Sequence, residues 1–307
     1  MTNSKKYQGV IVPAITPLTA DHQLDEGAVE KIFAHFHQHQ VMPFILGTTG
    51  EAASLPVALK LRYIQVGAGL KKPGDLLYAG ISSSCLEESV EMGRRCFGEG
   101  VDVVVATLPS YYALSEDQMK RYFEQLADRL PGALIIYNIP ATTHMSIPLK
   151  IIDELSVHPN IVGTKDSERN EDRLKTSLKL WAERDDFSHF LGWAAKSAEA
   201  LLDGSDGLVP STANFNPGLY REMYTAIQAK QYEKAFQLQG LSDLLGNLYQ
   251  TGRPLGYSLA ALKRIMEEAA LCQSYMMPPL QRLSAKEEAG LLQEMSAIIH
   301  EKKIDIF

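Results

Sequence analysis

Cysteine is scarce in this chain: three residues in 307, Cys85, Cys96 and Cys272, set far apart. They form no Cys-x-x-Cys pair and no zinc-ligand spacing, so neither a disulfide framework nor a zinc ribbon organises the fold. The sparse, odd count points to a reducing, cytoplasmic setting. No run of roughly 18 apolar residues occurs, so no membrane-spanning helix is expected. Met1 to Lys6 are polar and precede only a short apolar run, so the hydrophobic core of a signal peptide is not expected. Lys and Arg total 30 against 37 Asp and Glu, a net charge of −7, with no clustered basic stretch. A surface that tracks phosphates needs such a cluster, so nucleic acid is not expected as a partner. His-Glu-x-x-His, Walker A and Gly-x-Gly-x-x-Gly patterns are missing, which removes support for zinc-protease, P-loop and dinucleotide chemistry. No low-complexity tract and no Pro-, Gly- or Ser-rich linker separates independent domains.

What the chain does have is rhythm. Short apolar, β-branched runs alternate with longer amphipathic ones, the signature of a parallel sheet covered by helices. The strand-like runs are Val10–Ile15, Phe44–Leu46, Leu76–Ile81, Val101–Thr107, Ala133–Ile139, Ile161–Asp166, Phe187–Trp193 and Gly207–Val209. Helical patterns lie between them, among them Asp25–His39, Pro56–Leu70 and Leu86–Glu99, and one capped at Ser115 with Glu116 and Asp117 in its first turn. Eight such units predict a (β/α)8 TIM barrel rather than a doubly wound sheet. From about Pro217 the pattern is purely helical, with segments near 219–229, 232–249, 256–270 and 285–302. The expected organisation is a catalytic barrel at residues 1–225 and a C-terminal helical extension at 226–307.

In such a barrel the active site forms at the C-terminal ends of the strands. The search therefore narrows to reactive side chains that end a strand-like run. Lys165 ends Ile161-Val162-Gly163-Thr164-Lys165-Asp166, and alternation places Ile161, Gly163 and Lys165 on one face. If that face points inward, desolvation disfavours the charged amine and frees a nucleophile for a carbonyl carbon. Lys71, Lys120, Lys179 and Lys230 fall on polar helix faces or loops instead. The bland alternative is a strand-end lysine reaching solvent or pairing with Asp166. Tyr137 nears the end of the preceding run, and neighbouring strands could bring its phenol to the amine as a proton shuttle. Gly47-Thr48-Thr49-Gly50-Glu51 ends the second run. Its backbone and hydroxyls could hold a carboxylate, or it is an ordinary turn with Glu51 as a helix-start acid. Tyr111 and Tyr112 end the fourth run as packing, interface or site residues. His35 and His39 share a helix face away from the barrel mouth and read as a solvated face rather than a metal site.

Taken in order, the Gly-Thr-Thr-Gly-Glu turn at 47–51, Pro-Ser-Tyr-Tyr at 109–112, Tyr-Asn-Ile-Pro at 137–140 and Val-Gly-Thr-Lys-Asp at 162–166 resemble the dihydrodipicolinate synthase/N-acetylneuraminate lyase family. The likeness covers nearly the whole chain. It implies a class I lyase in which Lys165 forms a Schiff base with pyruvate or a 2-keto acid and Tyr137 is the general acid/base. It implies that Thr48 and Thr49, with Gly47, bind the carboxylate, that Thr49 rather than Thr48 relays a proton, and that Tyr112 completes the relay from a neighbouring subunit of a homotetramer, a dimer of dimers. No metal or organic cofactor is implied, because the protonated imine is itself the electron sink. The family's synthases usually carry an arginine two residues after the proline of Tyr-Asn-x-Pro, where this chain has Thr142, and a threonine cannot supply a bidentate charged fork. Neuraminate lyases usually carry an acidic pair after the seventh strand, where this chain has Gly192-Trp193-Ala194-Ala195. The expectation is cleavage of a 2-keto-3-deoxy sugar acid, or a related 2-oxo acid, to pyruvate and an aldehyde. Trp193 would wall the pocket and Ser211 would meet substrate hydroxyls. The alternatives are a dihydrodipicolinate synthase that recruits another cation such as Arg169, a neuraminate lyase, and a non-catalytic keto-acid sensor, which the presence of both Lys165 and Tyr137 disfavours.

Overall fold

A computed structural model describes residues 5–302; Met1–Ser4 of the polar N-terminus and residues 303–307 lie outside the described residues. Eight strands, β1 (Gly9–Pro13), β2 (Met42–Ile45), β3 (Tyr78–Gly80), β4 (Val103–Thr107), β5 (Ala133–Asn138), β6 (Ile161–Asp166), β7 (Ser188–Leu191) and β8 (Gly207–Leu208), pair in sequence order into a closed barrel. Each pairing is parallel, and β8 returns to β1 through Gly9↔Gly207 and Val10↔Leu208. The expected (β/α)8 architecture is thus the observed one. The seventh and eighth strands are shorter than the apolar runs that announce them. After Val209 donates to the Leu191 carbonyl at 2.8 Å, Pro210 has no N–H with which to continue the ladder.

Among the described residues nine α-helices follow strands around the barrel: α1 (Glu26–Gln38), α2 (Val57–Gly69), α3 (Leu86–Gly98), α4 (Glu116–Arg129), α5 (Pro140–Thr143), α6 (Leu149–Leu155), α7 (Glu171–Leu180), α8 (Ser197–Leu202) and α9 (Pro217–Gln228). Three more, α10 (Tyr232–Gln250), α11 (Leu255–Glu268) and α12 (Ala285–Lys302), extend the chain. Local chemistry sets their starts. Asp25 accepts the Ala28 N–H at the head of α1, and Ser115 and Gln118 form a reciprocal capping box on α4. Asn170 and Asn216 accept the Arg173 and Leu219 N–H groups at the heads of α7 and α9.

The barrel has two apolar compartments. Outward residues such as Val104, Ile136 and Leu208 join the large core under the helices. Inward residues such as Phe44, Val105, Ile135 and Phe190 fill the barrel itself. The alternation along β6 is broken once. Leu134 pairs with Ile161 but Ile135 pairs with Gly163, so Val162 is an extra residue in a bulge. Ile161 consequently packs outward under the helices, not on the face shared by Gly163 and Lys165 as strict alternation predicts. Gly163 permits the close approach there, since a Cβ would lie 2.5 Å from the Ser188 carbonyl oxygen. The bulge restores the register beyond it: Tyr137 stands opposite Lys165, and Asn138 opposite Asp166.

Candidate active site

Lys165 comes from the end of β6 and turns into the barrel mouth, where it is 5% exposed. Its Nζ lies 3.8 Å from the centroid of the Tyr137 ring and 5.2 Å from that of Phe44. Among the described residues no carboxylate pairs with it. The alternative of an ion pair with Asp166 is overturned: Asp166 is on the opposite face of the strand, where its carboxylate meets Arg173 Nε at 2.6 Å. The other Asp166 oxygen accepts from Asn138 Nδ2 at 3.0 Å and from the Glu168 N–H at 2.9 Å. Glu168 in turn accepts from Asn138 and Ser146. The same two register pairs thus carry reactive groups inward and a polar clasp outward.

Tyr137 is buried on β5, and its hydroxyl faces Thr48, Lys165 and Ser167. Burial pushes the phenol up; the Lys165 charge and the three hydrogen bonds pull it down and win, leaving it below the ordinary phenol range. A phenol that yields its proton more readily than usual, beside an amine, suits proton transfer at that point. Ser167 escaped the sequence reading because it lies just past the strand, in a loop without a recognisable signature. Its position two residues after Lys165, on the same alternation, was the signal.

The Gly47–Glu51 turn closes by hydrogen bonds from the Gly50 and Glu51 N–H groups to the Gly47 and Thr48 carbonyls, each 3.1 Å long. Thr16 Oγ1 donates to the Gly50 carbonyl at 2.7 Å and fastens the turn to the β1 end. Thr48 reaches Tyr137, and Thr49 is buried beside it in the chain. Glu51 stands just before a short 3-10 turn, Ala52–Ser54, but its side chain does not cap it. Its backbone is left-handed (φ 57°), and its buried carboxylate pairs with Lys263 of α11.

The remaining expected site residues are placed less uniformly. Thr142 is half-buried in α5, and its hydroxyl turns back to the Ile139 carbonyl at 3.4 Å. Trp193 is half-buried after β7, with Lys196 Nζ 5.8 Å from its ring. Ser211 follows β8, but its hydroxyl bonds to the Tyr249 hydroxyl of α10 at 2.7 Å, so it is committed to a neighbour. Tyr112 is 74% exposed and packs edge-on against Tyr111, which is 80% exposed, at 4.9 Å between centroids. The structure does not bring Tyr112 into contact with Tyr137 within one chain. His35, His37 and His39 are half-buried rather than on a solvated face. Burial, then His39, lower the His35 pKa, and the His35 ring hydrogen-bonds the Phe215 backbone. Among the described residues no group of three or more His, Cys, Asp or Glu side chains is arranged to hold a metal ion. Among them, too, no helix is long and apolar enough to cross a membrane.

Several known proteins are similar to this chain. An uncharacterized DapA-like lyase of Thermococcus kodakarensis is 29% identical over 262 residues, covering 84% of this chain and 89% of that protein. A protein of Escherichia coli named "Probable 2-dehydro-3-deoxy-D-pentonate aldolase YjhH" is 27% identical over 290 residues, covering 93% and 94%. Among solved structures, the E. coli prophage protein YagE, in complex with pyruvate, shares the fold with a TM-score of 0.90 at 23% identity, covering 97% of this chain and 99% of its own. The model of the dihydrodipicolinate synthetase family matches residues 6–299. With that match over nearly its whole length, the chain belongs to the dihydrodipicolinate synthetase family, and so to the class I, Schiff-base lyases.

Proposed function

We propose that the protein catalyses reversible aldol cleavage of a 2-keto-3-deoxy sugar acid to pyruvate and an aldehyde. The observation that carries this reading is the placement of Lys165: a buried amine against the Tyr137 ring, opposite it in register, with no described carboxylate to fix it as an ammonium. The neutral amine attacks the C2 carbonyl, and with one proton taken up from solvent the hydroxyl leaves as water, giving a protonated imine; hydrolysis later returns that proton. Tyr137 as phenolate takes the proton of the C4 hydroxyl. The C3–C4 bond then breaks, its electron pair moves into the imine, and the aldehyde departs. Protonation of the resulting enamine at C3 and hydrolysis return Lys165 and pyruvate. Gly47, Thr48 and Thr49 receive the carboxylate through N–H groups and hydroxyls, and Thr48, whose hydroxyl meets that of Tyr137, passes protons to it. The exposed Tyr111–Tyr112 pair supports completion of that relay across a subunit boundary in a homotetramer. We place the reaction in the cytoplasm, without cofactor.

A neutral, hydroxyl-bearing distal end of the substrate fits the surroundings. The position after Pro140 offers Thr142, and the nearby Arg173 is bound to Asp166 and Glu168. The name of one E. coli relative, a probable 2-dehydro-3-deoxy-D-pentonate aldolase, agrees with this choice. One observation favours a second reading, condensation of pyruvate with aspartate semialdehyde. Arg169, in the loop after β6, is exposed and free of ion pairs among the described residues, and could meet a distal carboxylate. The test is pyruvate release, measured through a coupled dehydrogenase, from a panel of 2-keto-3-deoxy pentonates and hexonates, beside condensation assays with aspartate semialdehyde. Turnover of at least one panel member above the condensation rate supports the first reading. Faster condensation, lost in Arg169→Ala, replaces it with the second.

A further inference from the structure

The turn that faces Tyr137 is held from behind by a buried charge. Glu51, its last residue, lies in the left-handed region, which a non-glycine residue keeps only where its surroundings fix it. Here the fixing is done by its side chain. One carboxylate oxygen meets Lys263 Nζ at 2.5 Å, and the other accepts the Met277 N–H at 2.8 Å. Lys263 Nζ also donates to the Tyr275 carbonyl at 2.7 Å. The two side chains are 0% and 1% exposed, and charges so deep persist only when paired and hydrogen-bonded. Lys263 sits on α11, where Ala260, Ala261, Leu262 and Ile265 are buried with it. A second mouth loop is tied to the same helices, since Tyr249 of α10 bonds both Ser211 and Thr212.

A carboxylate site made of hydroxyls and backbone N–H groups depends on placement more than one made of a cationic side chain, because dipolar attraction falls off faster than charge. We propose that the Glu51–Lys263 pair sets the position of the Thr48–Thr49 turn for the substrate carboxylate. Lys263 is then a positioning residue, and the C-terminal helices take part in substrate affinity. The inference rests on the reading that this turn receives the carboxylate of pyruvate. Lys165, the group that bonds to pyruvate, is anchored separately on β6, so loosening the turn falls chiefly on half-saturation and changes the trapping rate at saturating pyruvate less.

The experiment is borohydride trapping of pyruvate on Lys165 as a function of pyruvate concentration, with folding checked by circular dichroism. The double variant Glu51→Gln/Lys263→Met removes both charges and leaves neither orphaned. Glu51→Asp keeps both charges, shortens the reach by one methylene, and decides the matter where the double variant does not fold. Leu126→Ala, in α4, controls for lost stability alone. The expected result is a rise of at least fivefold in half-saturating pyruvate in the folded variants, a saturating rate within threefold of the unsubstituted protein, and no change of half-saturation in Leu126→Ala. A smaller rise in a folded variant, an equal rise in Leu126→Ala, or a loss confined to the saturating rate overturns the inference while trapping on Lys165 stands. Absence of any adduct in the unsubstituted protein overturns the functional reading and the inference with it.

Discussion

At the barrel mouth Lys165 lies against the faces of two aromatic rings with no described acid beside it. At the seam between barrel and C-terminal helices Lys263 is buried more deeply still, yet it is gripped by Glu51 and the Tyr275 carbonyl. These are the two buried lysines among the described residues. Both lie in apolar surroundings, but only Lys263 has a carboxylate beside it. The mouth leaves its amine chemically available, whereas the seam spends its ammonium on an ion pair. A buried lysine is therefore informative only together with its partners. His189 adds a third solution. Fully buried on β7 between the Ser177 and Ser205 hydroxyls, it is held neutral, its pKa pushed down to about 4 chiefly by burial.

The comparison predicts opposite responses to the same substitution. Lys165→Met should lower turnover by a factor of at least ~10⁴, since the covalent route is lost, with thermal stability unchanged or raised by about 1 kcal/mol, because an unpaired buried amine gives way to an apolar chain. A fall in stability together with residual turnover would break the contrast. Tyr137→Phe should slow steady-state turnover by roughly 10²–10⁴. It should leave pyruvate trapping on Lys165 intact and remove from the pH–rate profile an acid-side limb whose midpoint lies below the ordinary phenol range. Retention of that limb would assign it to another group. Lys263→Met should keep Lys165 reactive but destabilise the fold by about 3–5 kcal/mol in denaturant unfolding, because Glu51 is left as an unpaired buried charge. Adding Glu51→Gln should recover part of that loss, and no recovery would mean that the pair acts as packing rather than as charge.

The smallest effect concerns acid. The neutral state of His189 depends on a folded pKa near 4 against 6.5 for the free group. Because the folded value is the lower one, the unfolded chain binds the proton first as pH falls. His189 therefore contributes nothing adverse above about pH 6.5. The fold loses stability between 6.5 and 4, up to on the order of 3 kcal/mol. Unfolding free energies from pH 7 to 4.5 should show that slope, reduced in His189→Asn. An equal slope in the variant would place the acid sensitivity on carboxylates instead.

How much of this was legible in the sequence follows from distance along the chain. Lys165 and Tyr137 could be read because each sits near the end of an apolar run on consecutive strands, and parallel pairing brings such ends together. The bulge at Val162 could not be read, since one extra residue in a six-residue strand leaves no compositional trace; it moved Ile161 outward and kept Lys165 inward. Ser211 reads as an open hydroxyl at a strand end, and only the packing of α10 reveals that Tyr249 occupies it. Glu51 reads as a helix-start acid because its partner lies far along the chain. The available clue was Lys263 itself, which, unlike the adjacent Arg264, falls on the buried side of α11 with Leu259, Leu262 and Met266, where a charge needs a distant partner.

The central claim is that Lys165, and not Lys263, is the nucleophile. Borohydride reduction with pyruvate, followed by intact mass and peptide mapping, tests it most directly. The account predicts one pyruvate-sized increment on Lys165, absent in Lys165→Met and dependent on pyruvate. An increment on Lys263, or none on either lysine under conditions that trap a known family member, would contradict it.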